Sequence, residues 1–206
     1  MTRIILVRHG HVEGIDPERF RGREDIPLSP LGLRQAIATG RRIAAKWSFS
    51  EVYTSPLQRC LETSSAIGEL SGRRIIPLDE LNDLDYGRWR WKTFDEVRSG
   101  APDMFDMWFT APDLVSFPGG ETLEDLQART AVVLHKLEEL APGQTVVVVG
   151  HDSVNRVLLL QLLGMPLSKY WRIAQSPCGI SEIEMEDRNV RIIRMNETCH
   201  LDGVSP

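Results

Sequence analysis

The chain is 206 residues long, 42% hydrophobic and 26% charged, with a formal net charge of −5. No apolar run approaches the roughly 20 residues needed to span a bilayer, and the composition excludes collagen, coiled coil and a disordered tail, leaving one soluble domain. The acidic balance argues against non-specific binding to nucleic acid. Met1-Thr2-Arg3 runs straight into Ile4-Ile5-Leu6-Val7, so no secretory leader is expected. Cys60, Cys178 and Cys199 stand at no regular spacing, which predicts free thiols in a reducing compartment, the cytoplasm.

Strands and helices alternate along the chain, the pattern of an α/β domain. Arg3-Val7 is a short apolar run suited to a strand covered on both faces. Ser29 reads as an N-cap with Pro30 at the first helical position, opening a helix to about Lys46 with Leu33, Ile37, Ile43 and Ala44 on its apolar face. Glu51-Thr54 reads as a strand. A helix opened by Pro56 runs to Gly72, and Arg74-Pro77 is a third strand. From Asp79 to Gly120 the texture changes: Trp89, Trp91, Phe94, Met104, Phe105, Met107, Trp108 and Phe109 crowd in with three prolines. This stretch, residues 79–120, is expected to be an insertion folding over the rest, with Trp89, Trp91 and the Met104-Phe109 cluster as an apolar wall. Thr122 caps a helix through Leu123, Leu126, Val133, Leu137 and Leu140. Gln144-Val149 is the central strand, followed by a helix from about Ser153 to Leu163. Gly179-Met185 and Val190-Met195 alternate in period two around a turn at Glu186-Asp187-Arg188-Asn189, a closing hairpin.

Two histidines stand just past two strand ends, in Arg8-His9-Gly10 and Gly150-His151-Asp152. Ligands of open α/β sheets bind at the carboxyl ends of strands, so one crevice can hold both side chains. The adjacent glycines would let backbone approach a ligand closely. Arg59 falls in the first turn after the Tyr53-Thr54-Ser55-Pro56 strand end, where free N–H groups favour an anion. Arg8, His9, Arg59 and His151 together form a cationic group suited to a phosphoryl dianion.

These residues resemble the histidine phosphatase superfamily in its phosphoglycerate mutase-like branch. Leu6-Val7-Arg8-His9-Gly10 resembles its opening motif. Gly22-Arg23-Glu24-Asp25-Ile26-Pro27-Leu28-Ser29-Pro30-Leu31-Gly32 and Thr54-Ser55-Pro56-Leu57-Gln58-Arg59-Cys60 are similar to its next segments. Leu81-Asn82-Asp83-Leu84-Asp85-Tyr86-Gly87-Arg88-Trp89 resembles its acid-bearing segment, and Phe117-Pro118-Gly119-Gly120-Glu121-Thr122 and Val149-Gly150-His151 complete the set.

The resemblance implies a three-layer α/β sandwich with a mostly parallel central sheet flanked by helices. It implies one domain over 1–206, with 79–120 as a cap-like insertion covering the active site. It further implies a phosphomonoester phosphatase that works through phosphohistidine, with no cofactor and no metal. His9 would be the nucleophile, Arg8, Arg59 and His151 would hold phosphoryl oxygens, and Asp83 would be the proton donor, with Asp152 as the alternative acid. The chain departs from the family pattern in three places. Val12 stands for a Thr or Ser, Ile15 for an Asn that commonly contacts phosphate, and Asp83 for a Glu. His11 is a candidate replacement for the missing donor. A cofactor-dependent phosphoglycerate mutase is the alternative activity, for which Lys92 and Arg98 are the available basic residues after the acid segment. A catalytically weak phosphate-binding module is the other alternative. The expected partner is a small phosphorylated metabolite, with no nucleic acid, no membrane, and a homodimer left open.

Overall fold

A computed structural model describes residues 1–140, 142–186 and 189–204. Six strands form one sheet in the order β3-β2-β4-β1-β5-β6: β1 (Thr2–Arg8), β2 (Glu51–Thr54), β3 (Arg74–Pro77), β4 (Thr145–Gly150), β5 (Ile180–Glu186) and β6 (Asn189–Glu197). The pairings β3–β2, β2–β4 and β4–β1 are parallel, while β5 runs antiparallel to β1 and to β6. The closing hairpin is therefore present; its turn residues Asp187 and Arg188 lie outside the described residues.

Side chains alternate across β1 and β4, which sorts the core into two layers. Ile5, Val7, Val147 and Val149 pack with Ile43 of helix α1 (Pro30–Lys46) and Ile67 of α2 (Gln58–Ser71). Ile4, Leu6, Val146 and Val148 pack with Leu126 and Val133 of α5 (Leu123–Glu138) and Val157 of α6 (Asp152–Leu162) on the opposite face. The result is the expected three-layer arrangement. Both predicted caps form: Ser29 accepts from the Gly32 N–H, and Thr122 makes a reciprocal box with Asp125. The helix after Pro56 begins at Gln58, two residues later than expected.

Of the apolar face read for α1, Ile43 is buried but Leu33, Ile37 and Ala44 are not. Leu33 and Ile37 are 47% and 44% exposed, whereas Gly32, Ala36, Thr39, Gly40 and Ile43 face inward. Small residues let this helix approach backbone rather than side chains. A Cβ at Gly32 would lie 2.0 Å from the His11 carbonyl oxygen, and one at Gly10 would lie 2.7 Å from that of Gly32. The glycine beside His9 thus admits a helix, and the one at position 150 makes room for the Asn155 side chain. Neither is explained by a ligand, as their placement in the sequence suggested.

Residues 79–120 hold two short helices, α3 (Phe94–Gly100) and α4 (Pro102–Thr110). Their aromatic side chains form a continuous cluster, and Phe20, from the loop after β1, inserts into it. The Phe20 ring lies 5.1 Å from that of Tyr86, 4.9 Å from Trp89 and 4.6 Å from Phe94. Its backbone also exchanges hydrogen bonds with this segment, through Phe20 N–H to Lys92 O and Trp91 N–H to Phe20 O. On the far side Phe109 stacks on Trp171 at 5.0 Å, and Trp171 Nε1 donates to the Trp108 carbonyl at 2.6 Å.

Candidate active site

The parallel register of β1 and β4 sets Arg8 opposite Gly150, so the residues that follow each strand emerge side by side. The His9 N–H donates to the Gly150 carbonyl at 3.0 Å, and the His9 and His151 rings lie 5.3 Å apart. The sequence-predicted pair does meet. Arg59 arrives from the first turn of α2, and Asp83 from the segment after β3.

His9 is 1% exposed and lines a cleft with Arg8, Arg21, Asp83, Asp152 and Ser153. Its Nδ1 lies 2.7 Å from the Gly10 carbonyl oxygen. A carbonyl only accepts, so Nδ1 carries the proton and Nε2 keeps its lone pair. Burial, then the neighbouring charges of Arg59, Arg8 and Arg21, hold the His9 pKa well below the ordinary histidine value. The ring is therefore neutral at pH 7, as a nitrogen nucleophile must be.

His151 and Arg59 lie deeper; both are wholly buried and neither lines the cleft. Arg59 Nε donates to His151 Nδ1 at 3.2 Å, and His151 Nε2 lies 2.8 Å from the Ser55 hydroxyl. Both nitrogens of His151 are thus engaged. Burial and Arg59 also lower its pKa well below the ordinary value. The rest of the Arg59 fork donates to Glu24 O at 2.6 Å, Gly22 O at 2.7 Å and Asp83 Oδ2 at 3.0 Å.

Asp83 is 7% exposed. Its Oδ1 accepts from the Ser153 hydroxyl at 2.5 Å and the Leu84 N–H at 2.9 Å, while Oδ2 accepts from Arg59. The Asp83 carbonyl is gripped by Arg23 Nε at 3.2 Å and Arg129 Nη2 at 3.0 Å, and both arginines pair with Glu121. Asp152, the alternative acid, also lines the cleft. It is the first residue of α6 and not its cap, the cap position being His151. Its Oδ1 accepts from Arg156 Nε at 2.7 Å, and that guanidinium lies 4.7 Å over the Trp171 ring.

The aromatic lining matches the expectation in part. Trp89 is buried inside the cluster at 4% exposure, and the Arg19 guanidinium covers Trp91 at 5.3 Å. Trp108 and Phe109, from the expected Met104-Phe109 cluster, do line the cleft, joined by Phe94 and by Trp171 from the body of the fold. Ile15 lies in the cleft wall and offers no donor there. Val12 is buried with Leu28 and Ala36. His11 turns to Ser29, with its Nδ1 2.8 Å from the hydroxyl, and is not among the cleft residues. Arg21, Ser153, Gln175 and Trp171 are among the cleft residues that sequence reasoning passed over, as are Glu18 and Arg19.

Comparison with known proteins agrees with this architecture. Phosphoserine phosphatase 1 of Hydrogenobacter thermophilus is 34% identical over 201 residues, spanning 98% of this chain and 95% of the relative. The structure of Bacillus stearothermophilus YhfR superposes with a TM-score of 0.91 at 27% identity, covering 98% of this chain and all of the other (100%). A mutant phosphoserine phosphatase of Entamoeba histolytica, solved in complex with phosphoserine, gives 0.85 at 26% identity, covering 98% and 100%. Residues 4–198 match the family model, so the chain belongs to the histidine phosphatase superfamily, branch 1.

Proposed function

We propose that this protein hydrolyses a small phosphorylated metabolite through a phosphohistidine on His9. The enzyme is a phosphatase by family and by its relatives, among them phosphoserine phosphatase 1 of Hydrogenobacter thermophilus. The single observation that carries the mechanism is the tautomer of His9: Nδ1–H is tethered to Gly10 O, and Nε2 is left as the base beside Arg8.

His9 Nε2 attacks phosphorus, and the N–P bond forms as the ester P–O bond breaks. Asp83 gives a proton to the departing oxygen. Water then attacks the phosphohistidine, its proton returns to the Asp83 carboxylate, and the N–P electrons return to Nε2 as inorganic phosphate leaves. Arg8 holds a non-bridging oxygen from the cleft wall. Arg59 and His151 serve from the floor, where the Arg59 contact to Asp83 can be exchanged for a phosphoryl oxygen. Charge stabilisation and positioning of this kind account for most of the catalysis of phosphoryl transfer. Residues 79–120 act as the cap, bringing Phe94, Trp108 and Phe109 to the leaving-group side.

Hydrolysis is better supported than a mutase reaction. Lys92 and Arg98, the basic residues available for a substrate carboxylate, are exposed and absent from the cleft, and Arg98 pairs with Asp95. The acidic composition and three free thiols support a cytoplasmic setting without a nucleic-acid partner. Rapid quench with a labelled phosphomonoester should trap an acid-labile, base-stable phosphoenzyme. His9→Ala should abolish the label and lower kcat/KM by about 10⁴-fold or more. Normal turnover by that variant would overturn the assignment.

A further inference from the structure

The segment Gln175-Ser176-Pro177-Cys178-Gly179 leads into β5 and wraps the carboxyl end of β1. Its backbone grips the first motif repeatedly. The Gln175 carbonyl accepts from Arg8 Nη1. The Cys178 N–H is shared between the Arg8 and His9 carbonyls, at 3.1 and 3.2 Å, and the Gly179 carbonyl accepts from the Arg8 N–H at 3.4 Å. Arg8 Nε is buried without a hydrogen-bond partner. The aim of this guanidinium therefore depends on where the Gln175 carbonyl is held.

The turn inside this segment is not self-sufficient. The Gly179 N–H donates to the Ser176 carbonyl at 2.9 Å, with Pro177 second and Cys178 third at φ of +56°. That is the pattern of a type II turn, whose third position favours glycine. A non-glycine residue in the left-handed region is strained backbone, which persists only when its surroundings over-determine it. Asn196 supplies that constraint from the far end of β6. It sits at a bulge, where the β5–β6 register shifts between Ile180 and Glu182, and its own φ is +51°. Asparagine accepts this conformation more readily than most residues. Asn196 Oδ1 accepts from the Ser176 N–H at 2.7 Å, and Nδ2 donates to the Ser176 hydroxyl at 3.1 Å. Its own N–H donates to the Ser181 hydroxyl at 3.0 Å. A Cβ at Gly179 would run into Asn196 Oδ1, so the side chain also fills the space that glycine leaves. Asn196 is not among the cleft residues.

We propose that Asn196 is a positioning residue for phosphoryl transfer: its amide clamps Ser176, and the turn so fixed aims Arg8 and seats the His9 backbone. Preorganised charge is effective only where its geometry is held before substrate arrives, and a displacement of about 1 Å from a remote change costs roughly 10²-fold. The proposal rests on the reading of His9 as phosphoryl acceptor with Arg8 beside it.

The test compares Asn196→Gly, Asn196→Asp and Ile192→Ala in the full chain, with 4-nitrophenyl phosphate and an alkyl phosphate as substrates and vanadate as inhibitor. Glycine keeps the left-handed backbone and removes the clamp. Aspartate keeps an acceptor for the Ser176 N–H and for its hydroxyl. Ile192 lies on the same strand but packs into the core on the α5–α6 face, so its truncation controls for lost stability. Asn196→Gly should lower kcat/KM by roughly 10²-fold. The loss should be equal on both esters, because Arg8 and His9 act on the phosphoryl group and not on the leaving oxygen. Vanadate affinity should fall with it, and Asn196→Asp should recover most of both. Wild-type kcat/KM and vanadate affinity in Asn196→Gly would overturn the proposal. So would the same kinetic loss in Ile192→Ala at a matched fall in Tm, because that marks general destabilisation. Should Asn196→Gly fail to fold, Ser176→Ala decides, since it cuts the contact to Nδ2 alone: a several-fold loss of kcat/KM and vanadate affinity at unchanged Tm supports the clamp, and wild-type values overturn it. Wild-type protein that turns over both esters without a phosphoenzyme on His9 would overturn the His9 reading, while an equal loss on both esters in Asn196→Gly would still support the clamp on Arg8.

Discussion

The floor and the wall of the cleft are held together by different forces. On the floor, His9, Asp83, Arg59 and His151 are joined through directional hydrogen bonds to one another and to the ends of β1 and β4. In the wall, Phe20, Phe94, Phe105 and Phe109 touch ring on ring, and both Phe109 and Trp108 meet the body at Trp171. Hydrogen bonds fix atoms to within a few tenths of an ångström and lose their value when misaligned. Ring contacts are worth about 0.5–1.5 kcal/mol each beyond area burial and tolerate offset and tilted geometries. The candidate catalytic groups thus sit on the directional scaffold, and the aromatic side of the cleft on the tolerant one.

The largest expected effect that sharpens this contrast lies on the floor. Asp83→Asn should lower kcat/KM on an alkyl phosphate by roughly 10²–10⁴-fold, the range for general acid catalysis, and cost far less on 4-nitrophenyl phosphate, whose leaving group needs no proton. Asp152→Asn should retain the wild-type ratio between the two esters, as the reading of Asp83 as the acid requires. The reverse pattern would assign the acid to Asp152. Second, the floor should be sensitive to acid. His9 and His151 are neutral in the fold, with pKa values well below 6.5. Above that value neither state takes up a proton and neither histidine affects stability. Below it the unfolded chain binds protons that the folded one refuses, so stability falls as pH falls, by up to about 1.4 kcal/mol per pH unit for each histidine. Urea unfolding at a series of pH values should show a slope smaller by about that amount in His9→Gln, and equal slopes would refute the neutral state of His9. The smallest effect belongs to the wall. Phe109 lines the cleft and is 39% exposed. Phe109→Ala should shift the preference between aryl and alkyl phosphates only several-fold, within the range of about 1–3 kcal/mol for trimming an apolar pocket. A uniform loss on every ester would place Phe109 with the floor instead.

The floor was more legible in sequence than the wall, and for the same reason. A histidine that follows a valine-rich strand has its place set by strand register, so Arg8-His9 and Gly150-His151 could be brought together from spacing alone. The capping residues Ser29 and Thr122 were readable because a cap needs only its own next three residues. What a side chain meets across the fold has no such local sign. Arg59 reads as an open anion site at a helix start, yet its fork is occupied by four partners from three different segments. Arg21 sits in a loop of mixed polarity, and only the insertion of Phe20 into a distant aromatic cluster turns it toward His9's cleft. Trp89 and Trp91 have the composition of a ligand wall, but one fills the cluster and the other lies under Arg19. α1 misled in the opposite direction: Leu33 and Ile37 face out, and glycines on its inner face permit a backbone approach too close for large side chains.

Phe20 also constrains how such an enzyme can change. It is the residue on which the loop after β1 hangs within the aromatic cluster, and Arg19 and Arg21 flank it directly. A mutational path toward a new leaving group would naturally recut the rings around it. Each such step also moves the anchor of Arg19 and of Arg21, which lines the cleft beside His9. Selectivity and rate are therefore inherited together, and a library that varies Phe94 or Trp89 should be screened with compensating freedom at positions 19 to 21, where the lost alignment can be restored.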